Sequence, residues 1–178
     1  MEKLIERFTL ECRTNKSGKL KKFKPNYVKR ENYKFWKADS NVMVRDAILA
    51  NKISISYPRQ LEIIHGAIER ILKSYVIKEY GIELLVHETS VICDAIKADF
   101  QSEISKDDYS ALKLLDNNFI LFRYPTEERF YSEDMIDMAF EVLVNINSLV
   151  ESALNLSNRA KRVIRDVEDE LSVSKNAE

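Results

Sequence analysis

Ten basic side chains lie between residues 13 and 37: Arg13, Lys16, Lys19, Lys21, Lys22, Lys24, Lys29, Arg30, Lys34 and Lys37. Glu31 is the one acid among them, so the stretch carries +9 in a 178-residue chain whose total is −1. Phe23, Tyr27, Tyr33, Phe35 and Trp36 are set between the cations. Cations that attract phosphates, together with rings on which bases stack, are a common means of holding single-stranded nucleic acid. Lys19, Lys21, Lys22, Lys24, Lys29 and Arg30 are the candidate contacts. The competing reading is a solvated arm, or one that offsets the rest of the chain, because residues 38–178 sum to −9.

Other chemistry-bearing residues are sparse. Three glycines cannot build a phosphate-cradling loop. No serine stands in a nucleophile-elbow context. Two histidines, His65 and His87, and two distant cysteines, Cys12 and Cys93, do not make a zinc site, so no metal and no cofactor are expected. The numerous carboxylates have the spacing of solvated helix faces.

The elements that must position these residues are helical. With 45% hydrophobic and 32% charged residues the chain can build a core, and three prolines and three glycines are too few for a turn-rich sandwich. We therefore expect an all-α fold: an up-and-down bundle of four long helices plus one short helix, preceded by a basic N-terminal arm or β-hairpin. No apolar run approaches the ~18 residues that would suggest a membrane span. The opening MEKLIERFTLEC lacks the apolar segment of a secretory signal. The cysteines then read as reduced structural thiols, and a cytoplasmic protein without membrane contact is expected.

Residues 1–31 form the arm, with a turn at Asn15-Lys16-Ser17-Gly18 that would suit a hairpin over 8–27. Residues 32–157 form the bundle. The first helix covers about 32–50, with Phe35, Trp36, Val42, Met43, Ala47, Leu49 and Ala50 at helical spacing. Pro58 opens a second helix over about 58–80, Glu69 and Lys73 make an i,i+4 pair on its wet side, and Gly81 ends it. A short helix follows over about 88–100. Ser105 or Asp107 caps a helix over about 106–121, which Pro125 stops. Ser132 with Glu133 and Asp134 starts the last long helix, whose stripe includes Met135, Met138, Val142, Ile146 and Val150. Residues 158–178 are a charged tail.

Two blocks carry a resemblance. The run from His65 to Ser74 (His-Gly-Ala-Ile-Glu-Arg-Ile-Leu-Lys-Ser), then Tyr80-Gly81-Ile82 and Val86-His87-Glu88, resembles a helix, a Gly-Ile and a Thr-His-Asp turn of the HEPN family of nucleotide-binding helical bundles. Leu114-Leu115-Asp116, continued through Arg123-Tyr124-Pro125 and followed by Tyr131-Ser132-Glu133-Asp134, resembles that family's Leu-Leu-Asp and Arg-Tyr-Pro block. The resemblance covers about residues 35–155.

Many HEPN proteins are metal-independent ribonucleases that use an arginine and, four to six residues later, a histidine. The histidine can move a proton at the ribose 2′-OH, and the arginine can stabilise phosphate charge. After Arg123 that histidine is missing. Arg59 and His65 have the spacing but stand on another helix, where His65 abuts the apolar stripe, as a satisfied core histidine would. His87 matches the turn histidine, and orienting a helix start is its simpler role.

The resemblance therefore implies the family's other branch: a nucleotide- or RNA-binding protein, often the partner of a nucleotidyltransferase in a toxin–antitoxin or defence system. In it Arg123, Tyr124 and Arg129 would hold a phosphate. The alternative at that loop is that Arg123 bonds helix-end carbonyls and Tyr124 packs. A homodimer is implied by the family and by the apolar wealth of the last helix. Two other functions stand beside this one: a ribonuclease toxin or defence effector using Arg59 and His65, and a non-catalytic adaptor whose basic arm docks on an acidic protein.

Overall fold

A computed structural model describes residues 25–100, 104–123 and 130–154. Five helices account for most of them: α1 (Tyr33–Lys52), α2 (Tyr57–Tyr80), α3 (Thr89–Ile96), α4 (Lys106–Arg123) and α5 (Glu133–Leu154). A two-stranded antiparallel sheet pairs β1 (Asn26–Tyr27) with β2 (Ile82–Glu83). The fold is the expected all-α bundle, with four long helices and one short one.

Local signals explain most of the boundaries. Gly81 adopts φ 67° and closes α2 with its amide on the Ile77 carbonyl, a left-handed conformation that a side chain would resist. Pro58 sits in the first turn of α2, where a missing N–H costs nothing. Ser105 caps α4: its Oγ accepts from the Asp108 amide at 2.9 Å and its hydroxyl donates to the Asp108 carboxylate. Glu133 and Asp134 occupy the first turn of α5, where carboxylates complement the helix dipole. The short helix ends earlier than its apolar pattern suggests, tightening into a 3₁₀ turn over Lys97–Asp99.

α2 is the central helix, buried over nearly all of Leu61–Ile77, and the other four helices pack around it. Cross-helix bonds give the directions. Arg70 on α2 pairs with Asp39 on α1. Lys37, near the start of α1, reaches Asn147 near the end of α5. Lys78, near the end of α2, donates to the Leu154 carbonyl at the end of α5. Asn145 of α5 reaches Asp108 at the start of α4. The four long helices thus run alternately up and down around one core containing Leu61, Ile64, Ile68, Leu72, Leu115, Leu143 and Val150.

Three expectations are corrected. The apolar residues of α1 do not form one stripe: Val44, Ala47 and Ala50 face the core, whereas Phe35, Val42 and Leu49 are exposed. Glu69 and Lys73 are not on a wet face, because Trp36 of α1 lies over Lys73 and the loop before α3 brings His87 to Glu69. The stripe of α5 is spent inside: Val142, Ile146 and Val150 are core residues, and Met135 and Met138 pack against them. The hairpin placed over 8–27 lies outside the described residues apart from its last three. Of these, Asn26 and Tyr27 pair with Glu83 and Ile82.

Candidate functional site

One face of α2 presents His65, Glu69 and Lys73, each a helical turn from the next, toward α1, α4 and the loop before α3. His65 is fully buried. Its Nε2 lies 3.0 Å from Oδ1 of Asp116 on α4, and its ring stacks on Phe119 at a centroid distance of 4.2 Å. Nδ1 of the same ring is buried without a hydrogen-bond partner. A carboxylate that accepts at Nε2 selects the tautomer with its proton there.

Asp116 serves a second purpose. The first amides of any helix lack intrahelical acceptors, and Glu88, just before α3, makes no side-chain cap bond. Asp116 supplies the cap from α4. Oδ1 accepts the Thr89 amide at 2.7 Å and the Thr89 hydroxyl at 2.8 Å, and Oδ2 accepts the Ser90 amide at 2.8 Å. Burial alone would raise its pKa. The hydrogen bonds from His65, Ser90 and Thr89 outweigh burial and hold the carboxyl below its ordinary value. Asp116, not His87, is therefore the group that orients the start of α3.

His87 sits at the exposed edge of the cluster. Its side chain is 61% exposed, Nδ1 stands 3.1 Å from Oε1 of Glu69, and its ring lies 6.3 Å from that of Phe119. Glu69 Oε1 also accepts from Lys73 at 2.7 Å, and the Lys73 ammonium lies 5.4 Å from the centre of the Trp36 ring. A carboxylate at Nδ1 favours the tautomer with its proton there, on a side chain that is mostly exposed.

A separate buried ion pair joins α1 to α5. Lys37 pairs with Glu151 and donates to Asn147 Oδ1 at 2.8 Å. Burial pulls the Lys37 ammonium below its ordinary pKa, and Glu151 only partly restores it.

Arg59 is exposed and paired with Glu62. Six residues along a helix rotate a side chain by about 120° from its starting direction, so Arg59 and His65 do not share a face. With His65 inside the core, the two form no joint site in this chain. Arg123 is the last residue of α4; its side chain, Tyr124 and Arg129 lie outside the described residues. Lys19, Lys21, Lys22 and Lys24 do so too, as does the tail over 158–178. Lys29 and Arg30 are exposed beside the sheet and the start of α1, as are Tyr27 and Lys34. The role of Asp116 and the burial of Lys37 were not foreseen from the sequence. The Asp of Leu-Leu-Asp was visible, but its partners stand 26, 27 and 51 residues away in the chain.

An open cavity of about 420 Å³ lies where α1 ends and α2 and α5 begin, lined by Asn51, Ser56, Tyr57, Gln60 and Glu133 among others. It shares no residue with the histidine cluster. Among the described residues no group of three His, Cys, Asp or Glu side chains could hold a metal ion, and no helix is long and apolar enough to cross a membrane. No protein-family model, curated protein or solved structure matches the chain.

Proposed function

We propose that this chain is a HEPN-like protein that binds a nucleotide or single-stranded RNA without the family's ribonuclease Arg–His pair, and that it works with a nucleotidyltransferase in a toxin–antitoxin or defence system. The observation that carries the binding reading is the exposure of Tyr27, Lys29, Arg30 and Lys34 at the entry to α1. Together they offer a ring and three cations to solvent. β1 pairs with β2, and just after it the Val28 amide donates to the Gly81 carbonyl at 2.9 Å, which ties this segment to the bundle. A cationic strip held on a rigid scaffold loses less freedom when it binds than a free arm would. The ribonuclease alternative draws no support from His65, which is walled off from any substrate in this chain.

The test is fluorescence anisotropy with a labelled single-stranded RNA over a salt series. Affinity is expected to fall linearly on a log–log plot, with a slope of about −0.7 per phosphate contact. The double variant Lys29→Glu/Arg30→Glu should flatten that slope and weaken binding while keeping helix content. Binding unchanged by the double variant, or a wild-type protein that ignores RNA but captures an acidic polypeptide, would remove this reading and favour the adaptor.

A further inference from the structure

The open cavity where α1 ends and α2 and α5 begin lies apart from both the cationic strip and the histidine cluster. Its volume, about 420 Å³, is that of a small-molecule site. Gln60 stands at its floor, 1% exposed. The carboxamide is held in one orientation, because Nε2 donates to the Ile55 carbonyl at 2.7 Å. Turning the amide over would set its oxygen against that carbonyl. Oε1 is therefore fixed as an acceptor, and it is buried without a hydrogen-bond partner. A buried acceptor left unpaired is costly and uncommon in a native protein.

The walls are acidic and aromatic. Glu133, in the first turn of α5, is exposed at the rim. Asp137 follows one turn on; it already has a partner, so Glu133 is the carboxylate open to a ligand. Tyr57, the first residue of α2, adds a ring that is 37% exposed. No lysine or arginine is among the described residues that line the cavity. Two helices begin here, and helix N-termini ordinarily favour anions. At α2 those donors are largely spent, because Pro58 has no N–H and the amides of Arg59 and Gln60 both donate to the Ser56 carbonyl. At α5 Glu133 and Asp134 offset the dipole. An anion would meet carboxylates and few donors. A positively charged donor meets a fixed acceptor, a carboxylate and a ring.

We propose that this cavity binds a guanidinium group, carried by a small molecule or by an arginine side chain of another protein, with Gln60 Oε1 and Glu133 accepting its N–H groups and the Tyr57 ring against its plane. Three properties favour a guanidinium over an ammonium. Its donors point several ways within one plane, so floor and rim are met together. It is weakly hydrated and gives up water to a buried amide more readily. It also stacks on aromatic rings.

Isothermal titration calorimetry of the full chain with n-butylguanidinium reads the site. The neutral isostere n-butylurea and the compact cation n-butylammonium are the controls. The guanidinium should bind at least tenfold more tightly than either. Glu133→Gln, a change at an exposed position, should weaken it by about tenfold and keep helix content. In nitrogen–proton correlation spectra of the wild type, the Gln60 side-chain amide signals should shift on binding, because a new partner at the oxygen polarises the whole carboxamide. No saturable binding overturns the proposal. So does n-butylurea or n-butylammonium binding as tightly, affinity undiminished by Glu133→Gln, or Gln60 signals that stay in place. Binding gained only in Arg129→Ala would show the chain's own arginine to be the occupant, and also overturns it. The peptide acetyl-Gly-Arg-Gly-amide separates the two sources. Affinity about tenfold above that of n-butylguanidinium assigns the cavity to an arginine of another protein, and equal or lower affinity assigns it to a small guanidinium compound.

Discussion

His65 on α2 and Asp116 on α4 meet at 3.0 Å inside the bundle, and the same carboxylate holds the first amides of α3. One acid thereby ties three helices together. Its removal orphans a buried imidazole nitrogen and two backbone donors at once.

Asp116→Ala should accordingly be among the most destabilising single changes in the chain, by about 3–5 kcal/mol in urea unfolding, because charged hydrogen bonds and buried donors are lost together. Asp116→Asn keeps one acceptor and should cost less. In a double-mutant cycle, Asp116→Asn and His65→Leu should be strongly non-additive. Additive losses would mean that the two side chains act independently.

The same residue predicts a pH dependence. Its folded-state pKa lies below its unfolded value, which for aspartate is about 3.9. Its contribution is therefore fully present above that value and is lost as pH falls through the lower, folded pKa. Unfolding midpoints measured from pH 5 down to pH 2 should fall more steeply for the wild type than for Asp116→Asn. Parallel curves would remove Asp116 as the source.

Lys37 and Glu151 form a buried pair whose loss is asymmetric. Lys37→Met alone leaves an uncompensated carboxylate between α1 and α5 and should cost about 3–5 kcal/mol. Lys37→Met combined with Glu151→Leu should recover most of that loss, because an apolar pair needs no desolvation of charge. If the double variant is as unstable as the single one, packing and not charge sets the cost.

Gly81 closes α2 with φ 67°, and a Cβ there would come within 3.3 Å of the Val28 carbonyl oxygen. Gly81→Ala should cost about 1 kcal/mol or more, and Gly81→Asn should cost less, since asparagine tolerates the left-handed region better. Because Val28 donates to the Gly81 carbonyl, hydrogen exchange at the Val28 amide should quicken in Gly81→Ala. An unchanged amide would mean that the sheet does not depend on this turn.

Local chemistry in the sequence determined where the helices run. Gly81, Pro58, Ser105 and the Glu133–Asp134 pair each act on atoms within a turn of themselves, so their effects are legible from neighbours alone. Periodicity likewise determined that α2 and α5 have apolar faces. It could not decide what packs over each face, because a helical period gives an angle and no partner. Glu69 and Lys73 looked solvated until Trp36 and His87 were brought over them. Lys37 gave no sign of entering the core, since its acceptors, Asn147 and Glu151, stand more than a hundred residues on. The far side of α1 held enough apolar residues to be mistaken for its core face, and only the packing of Val44 and Ala47 against the bundle turned Phe35, Val42 and Leu49 outward. The tertiary structure decided these matters because burial depends on which helices meet, and that is a property of the whole chain.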